Sequence, residues 1–313
     1  MSDVRHETDR PRDLEGLLAL ARRRGPMRMV IAAADEDLSL AAAVEAAGLG
    51  IVTPILVGTV EGIRRAADEA GLDIDDFELV GTSNDAEAAA TAVRMAHDGR
   101  ADLVMKGSLA TSVLLRAVLN REFGLSTGGL LSHVAVFDAP DGDRLVFLTD
   151  AGVNINPRFA QKMEIIVNAV AVAHRLGVVE PKVAVLAAIE KLSLPTMPAT
   201  LDAEMLRRLG QAGQFGRCVV GGPLSLDAAL SPDRSAHKGM TSEVAGHADI
   251  LVTPNIETGN VLYKSVVCIA GREAAGAVVG ARVPVVVPSR ADSTRTKLYS
   301  IAFAAILSGE HAP

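Results

Sequence analysis

The stretch RVPVVVPSRADSTRTKL (residues 282–298) passes from an unbroken apolar run to a dense polar one within a single turn. Val283, Val285, Val286 and Val287 predict a strand buried on both faces, as in parallel sheets covered by helices. Ser289, Arg290, Asp292, Ser293, Thr294 and Arg295 follow at once, and an apolar-periodic helix over 294–308 comes next. Buried strand, short polar loop and helix in that order belong to an α/β architecture. Open α/β sheets bind ligands beyond the carboxyl ends of their strands, so the loop is placed for chemistry.

The same punctuation runs through the first third of the chain. MRMVIAAAD (27–35), VTPILVG (52–58), FELVGT (77–82) and ADLVMKGS (101–108) read as strands, each followed by a helical pattern. Short apolar strands alternating with longer helices predict βαβ units and a parallel sheet. The rhythm then changes. LLSHVAVFD and RLVFLTDAG are separated only by APDGD, whose Asp-Gly is a hairpin signal. A helix over 159–177, the strands KVAVLAAIE and CVVGGPLSL, and the strand ADILVTPN (248–255) follow, and one helix is expected through GNVLYKSVVCIAGREAAGAVV (259–279). The antiparallel pair marks a seam near residue 127. The last helix is too short to be a domain, so it is expected to pack back on the first. The expected division is 1–126 with 285–313, and 127–284, with the 287–293 loop at a crossing between the two.

Composition bounds what this fold is for. The chain has 313 residues, 3% of them aromatic and none of them Trp, so the core is built from Val, Leu, Ile and Ala. A length of 313 residues suggests about two domains. A net charge of −7 argues against a general nucleic-acid or anionic-membrane surface, but leaves room for a local basic pocket. Cys218 and Cys268 sit in apolar surroundings without CxxC spacing, which predicts buried free thiols in a reducing cytosol. MSDVRHETDRPRDLEGLL (1–18) lacks the apolar core of a signal peptide, and every apolar run is too short to span a membrane, so a soluble, cytoplasmic protein is expected. His6, His97, His133, His174, His237, His247 and His311 form no HxxxH or Cys/His cluster, and no metal site is expected. Neither GxGxxG opening a helix nor GxxxxGK[ST] occurs.

Three loops after strands remain. In MKGSLATS, Lys106, Gly107 and Ser108 precede a helix carrying Arg116, and such a helix start presents N–H groups to an anion. An ordinary capped helix with an exposed lysine explains the loop equally well. In TPNIETGNVLYKS, Asn260 and Lys264 lie one helical turn apart, which a solvated first turn also explains. In the 287–293 loop Ser289 lacks a Gly-x-Ser-x-Gly elbow and a neighbouring His, so a serine nucleophile is poorly supported. Ser289 is better suited to hydrogen bonding an oxyanion or thiol, and Asp292 to orienting Arg290 or accepting a proton. Asp292, Ser293 and Thr294 are ordinary helix-capping residues. Arg290 is not: a cation there opposes the helix dipole unless an anion joins it.

Taken in order, MKGSL, LSHVAVFD, FLTDAGVNINP, SEVAGHADILVTPNIETGNVLYKS and VPSRADS resemble the phosphate acetyltransferase/phosphate butyryltransferase family, from about residue 27 onward. The SHVAVFD and TDAGVNINP forms are closer to its butyryltransferase-like branch. The resemblance implies reversible transfer of a short-chain acyl group, acetyl or butyryl, between coenzyme A and inorganic phosphate. It implies two α/β domains with mainly parallel sheets, similar to isocitrate and isopropylmalate dehydrogenases, an active site in the interdomain cleft, and a homodimer. No bound cofactor is implied; acyl-CoA and phosphate are substrates. Carried over by motif, Ser289 and Arg290 lie at the reacting centre, with Asp292 the nearest carboxylate. Lys106, Gly107, Ser108, Arg116, Asn154, Asn260 and Lys264 are assigned to phosphate or coenzyme A. The family's proton acceptor falls in register with Thr296, where this chain departs from the pattern.

Two other readings share this architecture. A decarboxylating hydroxyacid dehydrogenase needs clustered aspartates for a divalent metal and a bound nicotinamide, whereas Asp150, Asp227 and Asp249 are scattered in sequence. A non-catalytic acyl-CoA or acyl-phosphate sensor has only the unplaced base in its favour.

Overall fold

The computed structural model describes residues 10–308, which leaves His6, His311 and most of the expected polar start outside the described residues. In chain order the elements are α1 (Leu14–Arg24), β1 (Met27–Ala32), α2 (Asp37–Gly48), β2 (Val52–Gly58), α3 (Val60–Ala70), β3 (Glu78–Gly81), α4 (Asp85–His97), β4 (Leu103–Lys106) and α5 (Thr111–Val118). Next come β5 (Ser132–Asp138), β6 (Leu145–Thr149), α6 (Phe159–Arg175), β7 (Lys182–Leu186), α7 (Ala199–Gln211), β8 (Val219–Leu224), α8 (Leu226–Leu230) and α9 (Pro232–His237). The chain ends with β9 (Ile250–Val252), α10 (Ile256–Lys264), β10 (Ala275–Val279), β11 (Val285–Val286) and α11 (Thr294–Ser308).

Over the described residues the chain forms an α/β fold of two units, one of residues 15–129 and 273–308, the other of residues 10–14 and 130–272. In the first, the strand order is β3-β2-β1-β4-β11-β10. All pairs are parallel except the last, in which Val278 faces Val285. Helix α11 is buried from Thr296 to Leu307 and packs on α2 and β10. A helix apolar all round belongs inside a core, which suits TKLYSIAFAAIL.

In the second unit the order is β5-β6-β9-β7-β8. The β5–β6 pair is the expected antiparallel hairpin, with Gly142 of its Asp-Gly turn at φ 76°, and the remaining pairs are parallel. The left-handed φ explains the glycine there.

Two sequence expectations give way. The helix expected over 259–279 stops early: α10 ends at Lys264, a π-helical turn covers Ser265–Ile269, and Gly271 turns left-handed at φ 62°. Residues 275–279 then form strand β10, with Gly280 at φ 90° leading towards β11. AGAVV is small and β-branched enough to serve either state, and pairing with β11 decides. The chain therefore returns to the first unit at Glu273 rather than at residue 285. At the other end, Leu14 N–H donates to Asp138 (2.9 Å) and Arg10 pairs with Asp249 (3.2 Å), which groups residues 10–14 with the second unit instead of the first.

The thiols also differ from expectation. Cys268 is exposed and Cys218 only half-buried, because the segment carrying Cys268 is not covered within its unit. Among the described residues no helix is long and apolar enough to cross a membrane.

Candidate active site

Strands β1, β4 and β11 are neighbours, and the loops at their carboxyl ends meet. Gly107 N–H donates to Ala32 O (2.8 Å) and Ser108 N–H to Ala33 O (2.9 Å), drawing the loop after β4 onto the loop after β1. A Cβ at Gly107 would stand 1.9 Å from Ala33 O, so only glycine permits the approach. Ala33 itself sits at φ 56°, a left-handed conformation that costs a non-glycine residue energy and marks a tightly constrained turn. Ser108 Oγ donates to Asp35 Oδ1.

The third loop docks on these two. Arg290 Nη2 lies 3.5 Å from Ser108 O, and Arg290, Ser108, Asp35, Glu36 and Asp37 line a cleft of about 420 Å³. Arg290 is exposed towards this cleft, whereas Asp292 is buried behind it. Asp292 Oδ2 accepts from Ser289 N–H (2.7 Å) and Ser289 O accepts from Asp292 N–H (3.1 Å), a reciprocal turn that fixes the half-buried Ser289. Ser293 Oγ caps α11 by accepting from Thr296 N–H (2.9 Å).

Lys106 completes the constellation. Only 4% exposed, it donates to Gly107 O (3.0 Å) and Leu109 O (3.2 Å). Burial holds its pKa below the usual lysine value; Glu36 and Asp292 oppose that shift, while Lys297 and Arg290 add to it. The lysine thus shares its field with the arginine of a loop far along the sequence. Arg116 is not drawn in: it is exposed on α5 and makes no hydrogen bond or ion pair among the described residues. The expected side-chain cap of α5 is absent too, since its N-cap is Ala110.

On the second unit, the TDAGVNINP loop wraps around one carboxylate. Asp150 is 2% exposed. Its Oδ1 accepts from the N–H groups of Gly152 (2.8 Å) and Val153 (2.9 Å). Its Oδ2 accepts from the N–H groups of His133 and Asn154 (3.2 Å each) and from Asn154 Nδ2 (2.6 Å). Asn154 Nδ2 also donates to Leu131 O (2.8 Å), so its donors are committed to the loop and its amide oxygen is what remains for a ligand. Gly259 lets α10 settle on this loop, because a Cβ there would stand 2.2 Å from Asp150 O. Asn255 caps α10 by accepting from Thr258 N–H (3.0 Å). Asn260 Nδ2 reaches Ala151 O (3.3 Å), and the Lys264 ammonium stands 5.3 Å from the Tyr263 ring centre.

Sequence reasoning missed Asp35, Glu36, Glu273 and Lys297. Glu273 Oε2 accepts from Ser293 Oγ (2.8 Å) and from Thr296 Oγ1, which brings a carboxylate to the register where this chain has threonine. Lys297 is fully buried, with Nζ 3.3 Å from Glu36 Oε1. A lysine inside the apolar run of α11 was the visible signal for it.

The aspartates that a metal-dependent dehydrogenase would cluster are employed elsewhere. Asp150 organises its loop, Asp249 holds Arg10 and Lys182 N–H, and Asp227 bonds Ser225 and Lys238. Among the described residues no group of three or more His, Cys, Asp or Glu is arranged to hold a metal.

The first unit is thus an α/β scaffold that brings the cations Arg290 and Lys106 together with the carboxylates Asp35, Glu36 and Asp37 at adjacent strand ends, a setting in which a transferase of charged substrates fixes charge by position. Comparison with known proteins gives the particular case. The family model "Phosphate acetyl/butaryl transferase" matches residues 81–305. The chain is 47% identical over 282 residues to the phosphate butyryltransferase of Clostridium acetobutylicum, covering 90% of this chain and 93% of that one. It is 41% identical over 296 residues to a phosphate acetyltransferase of Rhizobium meliloti, covering 95% and 93%. A crystal structure of a branched-chain phosphotransacylase from Enterococcus faecalis superposes with a TM-score of 0.81 at 34% identity, covering 91% of this chain and all of that one. The chain belongs to the phosphate acetyl/butyryl transferase family of acyltransferases.

Proposed function

We propose that the chain catalyses acyl-CoA + phosphate ⇌ acyl phosphate + CoA, with phosphate held by Arg290 and Lys106 at the ends of β11 and β4. The observation that carries this is the docking of Arg290 on Ser108 within the field of Lys106, in a chain of net charge −7. Attack of the coenzyme A thiolate on an acyl phosphate places negative charge on the carbonyl oxygen beside a leaving group that is already anionic. Such a reaction needs fixed cations and N–H donors more than a nucleophilic side chain. Arg290 offsets the charge on phosphate, and Ser289 donates to the oxyanion or the sulfur. Asp292 holds the Ser289–Arg290 turn in place.

The proton of the thiol needs an acceptor. Asp292 is 4% exposed and accepts from Ser289 N–H, whereas the half-buried Glu273 stands nearer solvent and accepts from Ser293 Oγ and Thr296 Oγ1. The proposal therefore gives Asp292 the positioning role and Glu273 the proton. Gly107 and Ser108 shape the phosphate loop, and Arg116, Asn154, Asn260 and Lys264 are assigned to substrate by their motif positions. The expected interdomain cleft and the isocitrate-dehydrogenase-like arrangement belong to this proposal, as does a cytoplasmic location, where coenzyme A and phosphate are supplied together.

A homodimer is also part of it. Val261 is 65% and Ile269 84% exposed, and no residue of the π-helical turn between α10 and Gly271 is buried. An apolar patch of this kind on a soluble protein marks an interaction surface.

Thiol release from acetyl-, propionyl- and butyryl-CoA, with and without phosphate, tests the reading. Phosphate-dependent release is expected, faster with butyryl-CoA than with acetyl-CoA, in keeping with the 47% identical relative. One methylene is worth about 1–3 kcal/mol of discrimination. No phosphate-dependent release from any of the three, or nicotinamide reduction with Mg²⁺ instead, would contradict it.

A further inference from the structure

Lys297 is an unusual residue for its place. It is 0% exposed, in a helix otherwise packed with Leu, Ile, Ala and Phe, and its ammonium makes no hydrogen bond among the described residues. Its counterion is Glu36, with Nζ 3.3 Å from Oε1, while Ser39 Oγ donates to Oε2. A buried ion pair seldom adds net stability, because desolvation of both partners offsets their attraction. An apolar residue would fill the helix position more cheaply, so the pair calls for another explanation.

Its surroundings supply one. Glu36 lines the same cleft as Arg290 and Ser108. It is also the charge that most strongly favours the ammonium form of Lys106, ahead of Asp292. With its side chain only 17% exposed, Glu36 has little water to satisfy its charge. Deprived of Lys297, that carboxylate would turn its field on Arg290, which faces the cleft, and on Lys106, buried beside it. A carboxylate engaged with Arg290 or Lys106 occupies the donors that phosphate needs and repels the incoming anion.

We propose that Lys297 is a positioning residue that engages Glu36 from beneath and so keeps Arg290 and Lys106 available to phosphate. The inference rests on the acyl-transfer reading for its substrate and deepens it. Lys297 makes no contact with substrate. It acts through Glu36, by setting which cation that carboxylate serves.

The test separates this role from that of a fold staple. Phosphate affinity is measured by calorimetry on the full chain, and KM for phosphate and for acyl-CoA by thiol release, for Lys297→Met, Glu36→Gln and the double variant. Lys297→Met is expected to weaken phosphate binding and raise phosphate KM by about tenfold or more, since an uncompensated charge a few ångströms from the site acts through an effective dielectric of about 20. KM for acyl-CoA should move by less than about twofold. Glu36→Gln is expected to bind phosphate as well as wild type or better, and the double variant to return towards wild type.

A staple would lower the melting temperature of Lys297→Met without touching phosphate affinity, and that result would overturn the proposal. A double variant as weak as the single one, or a Glu36→Gln chain that binds phosphate worse than wild type, would overturn it as well. Should Lys297→Met fail to fold, Lys297→Arg keeps the charge and must retain phosphate affinity; a loss of ten-fold or more in soluble Lys297→Arg counts against the role. Wild-type chain that binds phosphate but releases no thiol would sink the acyl-transfer reading alone, with calorimetry still judging Lys297. Wild-type chain that binds no phosphate would sink both.

Discussion

An arginine just ahead of a helix N-terminus is electrostatically misplaced unless an anion accompanies it. Arg290 occupies that position before α11, and its neighbours explain how it is tolerated: Ser108 O at 3.5 Å, and a cleft edged by Asp35, Glu36 and Asp37. Lys106 makes a different bargain. Burial keeps its pKa below 10.5, so it surrenders its proton at lower pH than a solvated lysine. If phosphate needs the ammonium form, kcat/KM for phosphate must fall as pH rises through that lowered value. Lys106→Arg, charged throughout, should shift the fall to higher pH, and a pH profile of both chains checks it. Equal alkaline limbs would remove Lys106 from the phosphate site. The two carboxylates of the loop are separated by a second comparison. Glu273→Gln should lower kcat about 100-fold with little loss of stability. Asp292→Asn should lower kcat and unfolding free energy together, the latter by about 1–3 kcal/mol, because a buried N–H of Ser289 loses its acceptor. Urea denaturation beside steady-state kinetics reads both.

At the scale of elements, the site depends on three loops approaching more closely than side chains normally allow. Gly107→Ala places a methyl group against Ala33 O, where no flexible atom can give way. It should cost about 3 kcal/mol or more in denaturant unfolding and abolish turnover by separating the loops after β1 and β4. Near-wild-type stability and activity would show that the loops do not need this contact. The strands themselves were legible beforehand, because βαβ units announce themselves through alternation and the β5–β6 hairpin through Asp-Gly. Strand β10 was not, since Gly271-Arg272-Glu273 ahead of AGAVV also fits the polar face of a continuing helix and only pairing with β11 reveals the strand. Arg290 was legible as a local misfit against the helix dipole. Glu36 and Glu273 were not, because each meets its partner only after folding: Glu36 meets Lys297, and Glu273 meets Thr296. Lys297 was missed although a lysine in an apolar helix is a visible signal, and nothing in the sequence says which carboxylate it faces. Arg116 shows the converse: its motif position is clear, but its side chain is exposed and uncommitted.

Across the whole molecule, each unit carries its own core of Val, Leu, Ile and Ala, and each presents loops at the carboxyl ends of its strands. The exposed apolar segment around Val261 and Ile269 remains uncovered in a single chain. Val261→Asp with Ile269→Asp should convert a dimer to a monomer in light scattering coupled to size exclusion, without unfolding either unit. A wild-type chain already monomeric at micromolar concentration would contradict the dimer. The most direct trial of the account lies with Arg290. Thiol release measured against phosphate concentration for wild type and Arg290→Ala should show kcat/KM for phosphate falling about 10²–10³-fold, equivalent to about 3–4 kcal/mol of lost transition-state stabilisation. A value near wild type would mean that this guanidinium does not face the reacting phosphate.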